Sequence, residues 1–561
     1  MVGYHPGDLY HPRTGGVTPP LPILHMKPHK TPNTVSPPLV GVRTVHLISL
    51  GCAKNTVDSS SMAALLARDG YQLTEHASRA GVIIVNTCGF IGPARDESFQ
   101  VLSDLAARKR KGQLLIAAGC LTQRYGVEVA RRVPGIDGIL GTRRWMDILE
   151  VVQKLRRDGD LYRRGPLQPV YHLPDTPTVG TDEKGLPRLA VQGGSAYIKI
   201  ADGCRRPCAF CAIPLIKGTA VSRPMEVILN EARLLVSQGV REINLIAQDT
   251  TDYGHDLGLK DGLAQLLEKM TENTQISEFS PLWIRVLYAY PGYVTDRLIE
   301  VMANGKPTGG GRPHRMQIVH YLDMPLQHAH PDTLRRMSRP ANVDWVFRTL
   351  EKMRHQISDL ALRTTFIVGY PGETEEEFQT LLDFVKTIRF DRVGTFQFSF
   401  ETGTTSEPLG DPIPPEVKQE RYNRLMELQH GISLEINQTF VGKTLPVLIE
   451  GAEGARRTPT ERCSVPPLTV LSLAPTERIL IGRSYRDAPE IDGVVVVEGA
   501  PAGIPIGDIV PVRITGAMAY DLNGILAESP LKATVKAGED RPITGGVPAD
   551  AHRKGGPETR P

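Results

Sequence analysis

The octapeptide CRRPCAFC, residues 204–211, holds three cysteines within eight positions and has no fourth cysteine beside them. Structural zinc sites are normally closed by four protein ligands, usually as two separated pairs. Three thiolates spaced C-x₃-C-x₂-C suit a [4Fe-4S] cluster better, and they leave one iron without a protein ligand. Such an iron can bind S-adenosylmethionine, whose sulfonium an electron from the cluster then cleaves to an adenosyl radical. The spacing therefore predicts an iron–sulfur site at Cys204, Cys208 and Cys211, the loop triad, with Phe210 packing against adenine.

The surrounding sequence predicts a barrel of βα units over residues 191–432. Apolar runs that read as strands alternate there with helical patterns, and the triad follows the first run, as it would at the carboxyl end of a barrel strand. Six or so such units suggest a full or partial barrel. The candidate strands are YIKIADG, EINLIAQD, WIRVLYAY, IVHYLDMPL, RTTFIVGYPG and GTFQFSF.

Two turns of this region carry further candidate cofactor contacts. In EINLIAQD the strand ends at Gln248 and Asp249, where barrel enzymes place polar ligands. In FIVGYPGETEEEF a strand ends in a turn whose Gly369 and Gly372 would let backbone approach a ligand. Ordinary loop chemistry and acidic capping of the next helix explain both turns equally well.

A second set of thiols lies upstream, where SLGC, VNTC and AAGC each end an apolar run with a cysteine. The runs alternate with helical patterns over residues 43–154, which predicts a parallel α/β sheet. Carboxyl ends of parallel strands meet at one edge, where open sheets bind ligands. We therefore expect Cys52, Cys88 and Cys120, the upstream triad, to hold a second cluster. The alternative is three buried cysteines that act as small apolar side chains.

The remaining sequence divides into tails, a linker and a small β domain. Residues 1–42 and 529–561 read as disordered tails, and the Pro/Gly-rich residues 155–190 read as a linker. Short apolar runs over residues 436–528 predict a small β-barrel, interrupted by an insert at residues 452–477. The seventh cysteine, Cys463, lies in this insert and is interpreted as non-functional.

Composition narrows the class of protein. The net charge of +3 over 561 residues argues against naked nucleic acid as the main partner. No apolar run approaches membrane-spanning length, and the first residues lack the pattern of a secretory signal. Seven cysteines are few and odd in number, which disfavours a disulfide framework and favours reduced thiols in the cytoplasm.

The two cysteine triads followed by a β-barrel resemble the methylthiotransferases of the radical S-adenosylmethionine superfamily. The resemblance covers roughly residues 43–528 apart from the linker and two inserts. It implies an α/β fold with a flavodoxin-like parallel-sheet domain, a central partial TIM-type radical SAM barrel and a small C-terminal TRAM β-barrel. It also implies two [4Fe-4S] clusters and S-adenosylmethionine, with the auxiliary cluster on the upstream triad and the radical-generating cluster on the loop triad.

Several stretches resemble the RimO branch of this family. They are SLGCAKNTVDS (49–59), NTCGFI (86–91) with ES (97–98), GCLTQRYG (119–126), YLDMPLQHA (321–329) and AYDLNGIL (519–526). The resemblance implies methylthiolation of the β-carbon of an aspartate on the twelfth protein of the small ribosomal subunit. It also implies a reductant such as flavodoxin or ferredoxin. Ser60 departs from the branch, in which Glu usually follows VDS, and the barrel insert is also unusual.

Charge favours a protein substrate, with RNA contact only secondary. Residues 436–526 hold eight Lys/Arg and ten Asp/Glu, whereas an RNA-gripping barrel should be basic. An acidic barrel suits a basic ribosomal protein. No side-chain acid or base is demanded by the sequence, so the catalytic residues are unknown and the protein's role is expected to be positioning.

Three alternatives stay open at this point. The chain could be a tRNA adenosine methylthiotransferase with the same chemistry. It could be a non-catalytic zinc protein that binds RNA, with a remote histidine such as His255 or His328 completing the loop triad. It could also be a radical enzyme whose upstream cysteines are only structural.

Overall fold

The computed structural model describes residues 43–161, 169–174, 185–273, 276, 282–304, 317–452, 477–501 and 503–527. The predicted tails, nearly all of the predicted insert at 452–477, and Cys463 lie outside these residues. The described residues up to Leu526 belong to one compact unit. Among the described helices, none combines the length and apolar character needed to cross a membrane.

The first domain is a six-stranded parallel sheet with helices between its strands. The strand order β2-β1-β3-β4-β5-β6 contains the flavodoxin-like order 2-1-3-4-5 that the resemblance implies. Its central strands β3 and β4 are mainly apolar and almost wholly buried, as expected for a sheet covered on both faces. The strands are β1 Thr44–Ser49, β2 Gln72–Leu73, β3 Val82–Thr87, β4 Leu114–Gly119, β5 Gly138–Gly141 and β6 Val170–His172, and the helices are α1 Ala53–Arg68, α2 Gly92–Arg108, α3 Cys120–Arg132 and α4 Ile148–Leu161.

The predicted linker at residues 155–190 is wrong in part. Helix α4 continues to Leu161, and β6 pairs in parallel with β5 as the sixth strand of the sheet. An edge strand of three residues in a Pro/Gly-rich context has too short an apolar run to be recognised by its pattern. The first domain therefore extends to His172.

The central domain is an open barrel, which settles the choice between a full and a partial barrel. Six parallel strands match the six predicted runs, and the antiparallel β7 covers the edge of β8. The order β15-β14-β13-β12-β11-β8-β7 leaves β15 and β7 at opposite ends of the sheet in the part of the chain described. The strands are β7 Leu189–Gln192, β8 Ser195–Lys199, β9 Ala201–Asp202, β10 Val221–Ser222, β11 Glu242–Ile246, β12 Trp283–Val286, β13 Gln317–Asp323, β14 Ala361–Val368 and β15 Arg392–Gln397.

Helices cover the outer face of this sheet and bury one continuous apolar core between themselves and the strands. The helix that follows GYPGET begins with a capping box, in which Thr374 and Glu377 satisfy each other's backbone N–H groups. The helices are α5 Ile213–Lys217, α6 Met225–Ser237, α7 Gly262–Glu272, α8 Asp296–Asn304, α9 Pro331–Arg336, α10 Val343–Gln356, α11 Glu375–Ile388 and α12 Pro415–Gln438.

The third domain is a closed five-stranded barrel in the order β16-β17-β18-β20-β19. Four of its strands correspond to the apolar runs that the sequence shows in this region, TLPVLIEG, ILIGRSYRD, GVVVVEG and DIVPVRITG. The fifth, β20, comes from the stretch AYDLNGIL and completes the closure by pairing with β18 and β19. The strands are β16 Thr444–Ala452, β17 Glu477–Ser484, β18 Val495–Pro501, β19 Ile509–Ala517 and β20 Leu522–Leu526.

A buried carboxylate joins this barrel to the central domain. Glu242, the first residue of β11, accepts hydrogen bonds from Arg285 at 2.9 Å and from Arg483 of the third domain at 2.5 Å. All three side chains are at most 2% exposed. Burial alone would raise the pKa of Glu242, but Arg483 and Arg285 outweigh it and lower the pKa to about 2.

We expect Glu242→Gln to destabilise the protein by about 3–5 kcal/mol near neutral pH, because it leaves the buried guanidinium of Arg285 without its anion and Arg483 with Glu450 as its remaining carboxylate. The pKa of Glu242 is depressed in the folded state, so its contribution is present above the ordinary value of 4.5 and is lost as pH falls toward about 2. Thermal unfolding of both proteins between pH 7 and pH 3 measures this. Asp332→Asn, at an exposed ion pair with Arg335, is the matched control with little expected effect. A difference that did not shrink on acidification would contradict the assignment.

Candidate active site

The structure brings the upstream triad to one edge of the first sheet. Cys52 follows β1 and is the N-cap residue of α1, Cys88 follows β3, and Cys120 follows β4 as the first residue of α3. The three strands are adjacent, and their last residues are in register. Two of the thiols therefore sit at helix N-termini, where the helix dipole favours a thiolate.

Asn55 ties the three strand ends together. Its Nδ2 donates to the carbonyl of Leu50 at 2.9 Å and to that of Thr87 at 3.1 Å. Its Oδ1 lies 3.7 Å from the Sγ of Cys120. Gly51 has φ = +92°, and a Cβ there would come within 2.8 Å of the Cβ of Cys88. The glycine is thus required for the close approach of the β1 and β3 ends.

The thiols of the upstream triad share one electrostatic environment. Burial raises the pKa of Cys88 far above its ordinary value, and the neighbouring thiols of Cys120 and Cys52 raise it further. Burial also raises the pKa of Cys120 to about 11, while the ammonium group of Lys217 opposes the rise. Thiolates at this position need a bound cation, and binding of a metal must release protons.

The loop triad stands on a tightly bonded turn between β9 and α5. Gly203 has φ = +74°, and a Cβ there would lie 2.0 Å from the carbonyl of Thr219, so only glycine fits. The N–H of Cys204 donates to the carbonyl of Gly218 at 3.0 Å, and that of Cys211 donates to Cys208 at 3.0 Å. Burial raises the pKa of Cys204 to about 11 and that of Cys211 to about 12.

The arginines of the octapeptide hold this turn to the barrel. Arg206 donates to Asp249 at 2.6 Å and to Asp252 at 3.2 Å, and its guanidinium lies 3.5 Å from the centroid of the Tyr293 ring. Its backbone N–H lies 3.4 Å from the Sγ of Cys204. Arg205 also pairs with Asp252. The loop is therefore fixed before any metal binds.

Two polar groups from elsewhere in the barrel face Cys208. The hydroxyl of Tyr290 lies 3.8 Å from its Sγ, and Nη1 of Arg339 lies 3.5 Å from it. The Arg339 guanidinium also stacks 4.1 Å from the centroid of the Tyr290 ring. Hydrogen bonds and positive charge at a ligating sulfur are among the factors that set the potential of an iron–sulfur cluster.

The donor set fits clusters better than single metal ions. Zinc with bonds of about 2.3 Å in a tetrahedron would hold its thiolates roughly 4 Å apart. Neither triad forms a group with all ligand atoms within 4.8 Å in the described residues, where the one such group is His330, Asp332 and Glu377. Glu377 already pairs with Arg336. A [4Fe-4S] cluster binds each thiolate through a different iron and so accepts wider spacing.

The two triads adjoin each other across the boundary between the first and central domains. Cys120 packs in one buried apolar group with Ala212 and Ile216, and Ala212 directly follows the last cysteine of the loop triad. On the other side, the Nζ of Lys54 lies 3.1 Å from the centroid of the Tyr288 ring. Tyr288 is two residues before Tyr290, about 7 Å of chain at most.

A buried ion network fastens the two domains at this boundary. Asp58 on α1 accepts hydrogen bonds from Lys199 at the end of β8 and from Lys217 on α5, the latter at 2.9 Å. Lys199 also donates to Asp202 at 3.1 Å, and Arg188 donates to Asp202 at 2.5 Å. All five residues are at most 3% exposed. Burial alone would raise the pKa of Asp202, but the lysines outweigh it and hold that pKa far below its ordinary value.

Glu401 makes a second junction between the same domains. It accepts hydrogen bonds from Arg95 at 2.5 Å and from Arg124 at 2.7 Å, both on helices of the first domain. Arg124 also donates to the carbonyl of Thr402 at 2.7 Å. The relative position of the two cysteine triads is thus set at two separate points.

The candidate cofactor contacts have local partners in the structure. Phe210 packs with Met337, Tyr370 and Phe398 beside the loop triad. Asp249 is the buried carboxylate that binds Arg206 and also accepts from Thr251 at 2.5 Å. Gln248 is half-buried at the strand end.

Both glycines of the second turn adopt left-handed backbone, with φ = +73° at Gly369 and +81° at Gly372. The N–H of Gly369 donates to the carboxylate of Glu373, and a Cβ on Gly369 would meet Lys418 at 2.4 Å. A Cβ on Gly372 would be 3.3 Å from Arg336. Packing within the turn accounts for both glycines, and their contact with S-adenosylmethionine stays a prediction.

Several residues of the site were not singled out from the sequence. Lys54 and Asp58 stand in SLGCAKNTVDS, which was recognised as a motif but not assigned a role beyond its cysteine. Arg339 and Tyr290 lie in no conspicuous pattern. Burial lowers the pKa of Lys54 to about 8, although Cys52 and Asp323 oppose the shift. The signal in the sequence was the position of Lys54, two residues after Cys52 in this motif.

Comparison with known proteins agrees with this architecture. Three family models match: the uncharacterized protein family UPF0004 over residues 44–141, the radical SAM superfamily over residues 198–385, and the TRAM domain over residues 469–526. The ribosomal protein uS12 methylthiotransferase RimO of Chloroflexus aurantiacus is 46% identical over 486 residues, which cover 85% of this chain and 98% of that protein. The protein of the same name from Roseiflexus sp. (strain RS-1) is 43% identical over 497 residues, covering 86% and 97%.

Among solved structures, the chain resembles the radical S-adenosylmethionine methyltransferase TsrM from Kitasatospora setae with cobalamin and a [4Fe-4S] cluster bound. The TM-score is 0.45 at 12% identity, and the match covers 72% of this chain and 80% of that chain. A TM-score of this size is too low for the likeness to bear on function.

Removal of one thiol from either triad should empty one cluster and spare the other. We expect Cys88→Ala and Cys208→Ala each to lower the iron content of anaerobically reconstituted protein by about half, because each triad would hold four of eight irons. Cys463→Ala is the matched control and should keep full iron. Iron and acid-labile sulfide per chain measure this. Full iron in Cys88→Ala would make the upstream cysteines merely structural, and zinc in place of iron would overturn both assignments.

Arg339→Met should make the loop-triad cluster harder to reduce. Loss of a cation 3.5 Å from Cys208 removes a group that stabilises the reduced, more negative cluster. The expected change is on the order of tens of mV toward more negative potential, measured by redox titration with EPR detection. Arg335→Met, at a neighbouring exposed arginine, is the control. A potential that is unchanged, or equally changed in the control, would exclude this role.

Proposed function

The chain belongs to the family of the ribosomal protein uS12 methylthiotransferases RimO, and on this premise we propose that its two cysteine triads bind its two [4Fe-4S] clusters. The enzyme is a radical S-adenosylmethionine transferase that methylthiolates uS12. The upstream triad is proposed to hold the auxiliary cluster and the loop triad the radical-generating cluster. The observation that supports this assignment is the meeting of both triads at one domain boundary, where Cys120 packs beside Ala212.

The protein's own residues contribute by fixing the positions of the two cysteine triads. When bound, the clusters and S-adenosylmethionine supply the hydrogen-abstracting radical and the methylated sulfur that is transferred. Arg206 and its carboxylate partners fix the loop triad, and Asn55 fixes the strand ends that carry the upstream triad. The ion pair between Asp58 and Lys217 holds one triad opposite the other. Correct placement of reacting groups can itself supply a large part of a rate enhancement.

The predicted cofactor contacts divide according to their surroundings. Phe210 and Gln248 are the better candidates for direct contact with S-adenosylmethionine, since Phe210 is only half-buried next to Cys211 and Gln248 ends a barrel strand. Asp249 is proposed to act through Arg206, its partner at 2.6 Å. Gly369 and Gly372 are proposed to shape the turn on the same side of the barrel.

Charge on the third domain supports a basic protein substrate more than RNA. Arg483 and Arg486 turn inward and pair with Glu242 and Asp391, so their charges do not lie on the surface of the domain. Among the described residues 443–526, the basic side chains left at the surface are Lys443, Arg478 and Arg513, whereas five acidic ones keep exposure: Glu450, Glu490, Glu498, Asp508 and Asp521. Such a surface attracts a basic ribosomal protein and repels a phosphate backbone.

The finer points of the reaction are also proposals. The acceptor is taken to be the β-carbon of an aspartate side chain in uS12. The electron is taken to come from a small carrier such as flavodoxin or ferredoxin, since the radical-generating cluster must be reduced for each turnover.

Mass spectrometry of uS12 from cells with and without this gene tests the function. We expect uS12 to gain one methylthio group in place of one hydrogen on an aspartate only when the gene is present. Fragmentation of the modified peptide locates the group. Modified nucleosides in tRNA from the same cells should be identical in both strains. If cells without the gene instead lose a methylthio group from tRNA while uS12 is unchanged, the substrate is tRNA and not uS12.

A further inference from the structure

Lys54 is a buried cation for which the described part of the chain offers no anion. Its side chain is 7% exposed, and its Nζ faces the ring of Tyr288. No carboxylate of the described residues lies within ion-pair distance of it. A charged group removed from water without a partner costs several kcal/mol. The ring of Tyr288 offsets part of this cost by a cation–π contact.

The carboxylate whose charge acts on this lysine already has other partners. Asp323 accepts a hydrogen bond from Arg363 at 2.8 Å and another from the backbone N–H of Tyr288 at 3.2 Å. The other lysines at the boundary, Lys199 and Lys217, pair with Asp58. Neither Asp323 nor Asp58 is therefore left to pair with Lys54.

Tyr288 is held in an unusual conformation beneath the ammonium group. Its φ of +65° lies in the left-handed region, which is strained for a bulky residue. The carbonyl of Tyr288 accepts from the N–H of Thr250 at 3.1 Å, and Asp323 fixes its N–H. Strain that is held in place by specific bonds is typical of functional sites.

Lys54 lies where the segments that carry the two triads meet. It is two residues from Cys52 of the upstream triad, and Tyr290, two residues from its ring partner, faces Cys208 of the loop triad. Resting on the proposed function, we propose that the Nζ of Lys54 binds the carboxylate of the acceptor aspartate of uS12. The β-carbon of an aspartate is bonded directly to its carboxyl carbon, so this one contact places the reacting carbon between the two triads.

The experiment separates substrate binding from support of a cluster. Lys54→Met keeps the length and apolar contacts of the side chain and removes its charge. Lys269→Met, at an exposed lysine of α7, is the matched control. Each anaerobically reconstituted full-length protein is tested with intact uS12 and with uS12 in which the acceptor aspartate is replaced by asparagine. Equilibrium binding of labelled uS12 and kcat/KM for methylthiolation are measured together with iron content.

We expect the wild type and Lys269→Met to bind aspartate-uS12 at least tenfold more tightly than asparagine-uS12, and Lys54→Met to bind both alike. The value of kcat/KM with aspartate-uS12 should fall about 100-fold in Lys54→Met, and iron content should stay at the wild-type level. Lys54→Arg should keep part of the preference for aspartate, since it retains the charge in a different geometry.

Two results would overturn the proposal while leaving the proposed function intact. One is an undiminished preference for aspartate in Lys54→Met, and the other is loss of about half the iron, which would make Lys54 a support of the auxiliary cluster. If the wild type modifies neither form of uS12, the proposed function fails first and this proposal falls with it.

Discussion

The arrangement of this protein depends on the buried ion network at Asp58. Its carboxylate is shared by Lys199 and Lys217 of the central domain, and Asp202 and Arg188 extend the network. Such a network stabilises little in comparison with apolar packing, but any arrangement that separates its members leaves charges buried and unpaired. The network therefore selects one orientation of the first domain against many others of similar apolar contact. For a reaction between groups on two domains, orientation is what must be fixed.

Two short segments each carry both a proposed cluster ligand and a residue of this ion network. Asp58 follows Cys52 by six residues on α1, and Lys217 follows Cys211 by six residues through α5. The pair of Asp58 and Lys217, 2.9 Å apart, thus connects the two cysteine segments directly. Six helical residues span about 9 Å, so each cysteine lies close to the ion pair of Asp58 and Lys217. A shift of either domain would move a thiol by a similar amount.

Sequence patterns predicted the strands and the convergence of the upstream triad because both follow from local periodicity. A cysteine at the end of a buried apolar run must lie at the edge of a parallel sheet. The partners of Asp58 were not predictable in this way, since Lys199 and Lys217 are 141 and 159 residues distant. Strand Val170–His172 was missed because three residues give no period. Local chemistry is readable from sequence, whereas pairing across domains requires the fold.

The third domain takes part in the electrostatics of the site although it lies at the other end of the barrel strands. Asp492 accepts a hydrogen bond from Arg363 at 3.3 Å, Arg363 donates to Asp323, and Asp323 binds the backbone of Tyr288. This series of hydrogen bonds ends at Tyr288, whose ring faces Lys54. Because Asp323 is hydrogen-bonded to Arg363 and to the backbone of Tyr288, it is not free to pair with the lysine, and the ammonium group is left for an anion from outside. The domain whose acidic surface suits a basic substrate thereby also contributes to the site where that substrate would react.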